Sequence, residues 1–138
     1  MSDAVPLRDA SVQDIQLELL RRTRFNALDG ERVHASLMKH RDLWLGALLD
    51  RPGVANYAEP SHLLMSGMSK LRDLSHNIWN ADTLFILTPT REAADQLAGI
   101  AEEEEWGGEV QVYRDQAEID RAFGTGRQPY GLLSVWWD

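Results

Sequence analysis

Cysteine is absent from the 138 residues. That removes a disulfide framework, a thiolate metal site and a cysteine nucleophile together. No apolar run approaches the ~20 residues that cross a bilayer. Met1 to Asp9 has neither a basic start nor an apolar centre, so no secretory leader is read there and a cytoplasmic location is expected. Glycine is missing between Gly67 and Gly99, and no glycine-rich phosphate loop occurs. His34, His40, His62 and His76 include no pair at the i, i+4 spacing of a helical metal site. The serines lack a strand-to-helix nucleophile elbow, and Met65-Ser66-Gly67-Met68-Ser69 falls within a helical pattern instead. Neither cofactor nor metal is expected, and an enzyme is disfavoured.

Basic residues are scarce in one part only. Residues 1–80 carry ten Lys/Arg and ten Asp/Glu, whereas residues 81–138 carry four against twelve, so the net charge of −8 belongs to the second part. Such a surface repels phosphate backbones, which argues against nucleic acid. The basic cluster is Arg21, Arg22, Arg24 and Arg32, suited to an acidic partner or to internal ion pairs.

What is present is an ordinary globular balance, 43% apolar and 26% charged. Residues 1–10 read as a flexible N-terminus and 11–138 as one α/β domain, with a helical part at 11–77 and a sheet part at 82–138. Ser11 and Asp14 have capping-box spacing for a first helix carrying Val12, Ile15, Leu19 and Leu20. Asp29-Gly30 breaks it. A second helix is expected from Glu31 to Asp50, with Val33, Leu37, Trp44 and Leu48 on one face. A third is expected from Pro60 to His76.

Three apolar runs follow, Thr83–Thr88, Glu109–Arg114 and Gly131–Trp137, separated by helix-length segments. This β-α-β-α-β pattern predicts a small three-stranded parallel sheet against which the N-terminal helices pack. Leu84 to Leu87 are apolar on both faces, which places the first strand centrally in the order 2-1-3. Leu37, Leu48, Leu84, Ile86, Leu97 and Val135 form the expected core. The third strand, lacking Pro and Lys, is then an apolar edge that a second chain would cover, another copy or a partner.

A parallel sheet binds ligands beyond the carboxyl ends of its strands, which singles out Thr88, Thr90 and Asp138 for a small-ligand-binding or hydrolytic role. The stronger reading is a non-enzymatic interaction or regulatory protein. It would bind another protein, or itself, through Trp136, Trp137, Glu103 and Glu104, because tryptophan anchors interfaces. Four glutamates at 102–105 also oppose the macrodipole of the helix they end, a placement that folding alone does not favour.

Overall fold

The computed structural model describes residues 5–25, 27–49, 74–76, 81–123 and 129–137. The expected helix at Pro60–His76 falls outside these, apart from a 3-10 turn at Leu74–His76. So does any structure for Met1 to Ala4.

The first helix, α1 (Val12–Arg22), starts where the sequence places it. Ser11 Oγ accepts the Asp14 N–H at 3.0 Å and Asp14 accepts the Ser11 N–H at 3.2 Å, which closes the capping box. Leu17 and Leu20 are the buried residues of this helix, while Val12 and Ile15 lie exposed. A two-residue hairpin, β1 (Arg24–Phe25) with β2 (Leu28–Asp29), turns the chain into α2 (Gly30–Lys39). Asp29 caps α2 rather than ending α1. Gly30 is required by proximity, since a Cβ there would stand 1.9 Å from the Leu20 carbonyl oxygen.

The expected second helix stops halfway. Trp44 turns back, and its Nε1–H donates to the Leu37 carbonyl at 2.9 Å, satisfying an acceptor left over at the end of α2. The remainder becomes a strand, β3 (Gly46–Leu49). Leu37 and Trp44 are i, i+7, a spacing shared by a continuous helix and by this reversal, so periodicity alone could not separate them.

The parallel sheet is overturned. β4 (Thr83–Thr88), β5 (Glu109–Val112) and β6 (Gly131–Trp136) join β3 in a four-stranded sheet of order β3-β4-β6-β5, antiparallel throughout. Two helices connect these strands, α3 (Arg91–Glu103) and α4 (Gln116–Phe123). β4 and β5 point the same way, but β6 lies between them, giving a split β-α-β unit. The connection from 113 to 130 is long enough to enter β6 from either end, so its length does not choose direction. Burial does distinguish the centre. β6 is buried from Gly131 to Val135 on both faces, whereas Phe85 and Leu87 of β4 are only half-buried. The third apolar run is therefore interior, and the open apolar edge expected of it does not exist.

Ala47, Leu49, Leu84, Ile86, Leu133 and Val135 share one face of the sheet, and they meet Leu17, Leu20, Val33, Leu37, Leu97 and Trp106 in one core. Of the six expected core residues only Leu48 fails, because it points to the opposite face and is half-exposed.

The two outer strands are treated differently. On β3, Gln13 of α1 imitates a neighbouring strand: its Oε1 accepts the Ala47 N–H at 2.8 Å and its Nε2–H donates to the Ala47 carbonyl at 2.9 Å. Gln16 accepts the Leu49 N–H at 2.9 Å. Edge groups that would recruit another chain are thus used internally. Gln13→Ala is expected to lower stability by about 1–3 kcal/mol, the cost of stranding such groups. It should also speed exchange of the Ala47 amide, with chemical denaturation and hydrogen exchange as the measurements.

Candidate protein-binding site

The other outer strand, β5, is bare: among the described residues nothing pairs with its far side. The Tyr113 N–H donates to the Leu132 carbonyl at 2.9 Å. By antiparallel alternation the backbone groups of residues 109, 111 and 113 then face β6, and those of Val110 and Val112 face outward. Beside this edge runs α3, and between them lies a groove of about 640 Å³ lined by Ala98, Gly99, Ala101, Glu102, Val110 and Val112. The turn at Gly107-Gly108 bounds one end. Arg114, ion-paired with Asp95 at 2.9 Å, joins strand to helix beyond the other.

The turn that shapes the groove is held tightly. Past the end of α3, Trp106 N–H donates to the Ala101 carbonyl at 2.9 Å and Glu105 N–H to the Glu102 carbonyl at 3.3 Å, a Schellman termination. Its left-handed position is occupied by Glu105 at φ 56, where glycine is the usual choice. Gly108 cannot change, because a Cβ would lie 2.6 Å from Val135 Cγ1 and 2.9 Å from the Trp136 carbonyl oxygen.

Side chains then lock the turn to α2. Trp137 Nε1–H donates to the Trp106 carbonyl at 2.7 Å, and Trp106 Nε1–H donates to Ser36 Oγ at 2.8 Å. Ser36 in turn donates to Glu104 at 2.8 Å, and His40 Nε2–H donates to the same carboxylate at 2.8 Å. Lys39 adds a contact at 3.4 Å. The His40 bond, then the Ser36 bond, hold the Glu104 carboxyl down at about 2. Serine, histidine and glutamate meet here, but the carboxylate sits between the other two. Among the described residues no imidazole reaches the Ser36 hydroxyl, and the cluster has the form of a clasp rather than of a nucleophilic triad.

The sequence-selected residues scatter. Thr88 is wholly buried, its hydroxyl donating to the Thr90 carbonyl at 2.6 Å, and Thr90 Oγ1 accepts the Ala93 N–H at 3.1 Å as the cap of α3. Thr88 pairs with Gly131 at the start of β6, whereas Trp137 bonds to Asp82 before the start of β4. Antiparallel pairing therefore puts Thr88 and Trp137 at opposite ends of the sheet, about 20 Å apart along the strands. Asp138 lies outside the described residues. A common corner at the strand ends needed parallel strands and loses its basis. Trp137 is fully buried and unavailable to a partner, and Glu104 is committed to the clasp. Trp136, 42% exposed, and Glu103 are accessible.

Arg21 and Arg22 engage Glu18, and Arg24 engages Asp29 and Glu31, all within the first part of the chain. Arg32 alone of the four reaches the acidic part, at Glu105. Glu102, Glu103 and Glu109 have no ion-pair partner among the described residues. The groove residues Ala98, Gly99, Val110 and Val112 were not singled out by sequence, though Gly99 inside a helical run was a signal. A Cβ at Gly99 would meet nothing within 4 Å, so packing does not demand glycine there.

No family model matches the chain, and neither a curated protein nor a solved structure shows significant similarity to it.

Two outcomes are expected of this geometry. Gly99→Ala and Glu105→Gly, which relieve a helix-interior glycine and a left-handed glutamate, should each raise stability by about 0.5–1 kcal/mol in denaturant melts. Glu104 has its folded pKa below its unfolded one, so its stabilisation is complete above about 4.5 and fades as pH falls toward 2. Glu104→Gln should therefore flatten stability against pH across that window, which acid titration of the melting midpoint would reveal.

Proposed function

We propose that this chain is a non-enzymatic interaction protein that binds a basic protein partner at the α3–β5 end of its sheet. The observation that carries the reading is the set of carboxylates there, Glu102, Glu103 and Glu109, that have no ion-pair partner among the described residues, whereas Arg21, Arg22 and Arg24 pair with carboxylates of the first part.

Trp136 supports it from the adjoining face. It stands directly opposite Glu109 across β5 and β6, and its Nε1–H donates to Asp82 at 3.3 Å. An exposed indole between two carboxylates suits a lysine or arginine, which gains from the ring face and from the charges together. The local costs already described, glutamates at a helix C-terminus and Glu105 in the left-handed region, fit a surface kept for binding at some expense in stability.

The test is affinity capture with the whole chain and two variants. Wild type should retain a basic protein in low salt and release it as ionic strength rises. The triple variant Glu102→Lys, Glu103→Lys, Glu109→Lys should lose at least about 90% of that binding, and Trp136→Ala a smaller share. A retained set indifferent to salt and to all four changes would refute the reading.

A further inference from the structure

We infer that the partner binds by strand addition: an extended basic segment pairs with the outer edge of β5 and seats aliphatic side chains in the groove beneath α3. This rests on the proposed acidic binding surface and specifies its mode of use.

The contrast between the two edges of one sheet is the first ground. On β3, Gln13 and Gln16 match the outward N–H and C=O of Ala47 and the N–H of Leu49. β5 leaves the N–H and C=O of Val110 and Val112 pointing outward with no partner among the described residues. An unprotected edge invites pairing, and a chain that guards one edge so closely has the means to guard the other.

The groove is the second ground. In strand addition the main chain supplies affinity and pockets for alternate side chains supply selectivity. Val110 and Val112 form one wall and Ala98 with Ala101 the other, all small or aliphatic, and Gly99 keeps the helix side open. A strand of four residues, about 13 Å, accommodates a short segment.

Charge selects the occupant. Glu102 and Glu105 line the groove, and Glu109 stands on the opposite face of the same strand, so an incoming chain meets carboxylates on both sides. A second copy of this protein would place its own Glu102, Glu105 and Glu109 against them, a like-charge juxtaposition that opposes β5-to-β5 pairing. Lysine or arginine alternating with aliphatic residues matches the edge, the groove and the charge at once.

The probe is an acetylated decapeptide of alternating valine and lysine, with an alternating valine and glutamate decapeptide as control. Isothermal titration and amide exchange by NMR are run on the full chain. The basic peptide should bind below millimolar concentration and slow exchange of the Val110 and Val112 amides about tenfold or more, leaving Ala47 and Leu49 unchanged. Val112→Pro removes an outward N–H that β6 does not use and should weaken binding about tenfold. Gly99→Trp fills the groove from a position with free space around it, so the proposal is still tested should the proline variant unfold. Binding that tolerates both changes and protects neither amide, yet is lost in the triple charge reversal, overturns strand addition and leaves the acidic surface standing. No binding at millimolar peptide overturns strand addition. Equal binding of the acidic peptide, or indifference to charge reversal, overturns both. A dimer in light scattering that protects the same two amides without peptide assigns the edge to self-association and overturns the basic partner.

Discussion

One relay of hydrogen bonds joins parts of the chain that are far apart in sequence. Trp137, at the end of β6, donates to the Trp106 carbonyl; Trp106 donates to Ser36 on α2; Ser36 donates to Glu104 at the end of α3, which His40 also reaches. Each indole N–H is buried, and leaving either without an acceptor would cost more than a surface bond is worth. The relay therefore dictates where α2, the α3–β5 turn and the last strand sit. Because that turn also shapes one end of the groove, the clasp governs both the core and the surface beside it.

The sheet distributes roles by strand position. β6, buried on both faces, is filled by Leu132, Leu133 and Val135 and is interior. The outer strands carry the consequences of having an unpaired side. One is sealed by α1 glutamines, and the other adjoins a groove, a helix end where Glu102 and Glu103 have no ion-pair partner among the described residues and, on its far face, an exposed indole. Departures from local preference gather at this second edge. Gly99 sits in a helix without a packing reason, and Glu105 occupies a conformation that glycine would take more readily.

Local signals in the sequence were sound for most elements, although the Arg24–Asp29 hairpin replaces the expected end of the first helix. The capping box of Ser11 and Asp14, the three apolar strands and their intervening helices, and the alternation that marks Glu109 to Val112 as an edge all depend on residues within a few positions of one another. The reading broke where spacing was ambiguous. Leu37 and Trp44 fit one continuous helical face, yet the indole instead caps α2 and releases Gly46 to Leu49 into the sheet. A site at Thr88 and Thr90 was inferred from a parallel topology, whereas Thr90 caps α3 and the Thr88 hydroxyl donates to the Thr90 carbonyl.

Sequence by itself determined which segments are helix or strand across most of the described chain, where the negative charge accumulates and which catalytic motifs are missing. These follow from periodicity, capping chemistry and composition, none of which needs a distant partner. Tertiary structure decided strand direction and order, because the 113–130 connection can enter β6 from either end and only packing on both faces of β6 selects the centre. It also decided which glutamates have partners among the described residues. Glu104 differs from Glu102 and Glu103 only in facing Ser36 and His40, residues more than sixty positions away, and no local pattern records that pairing.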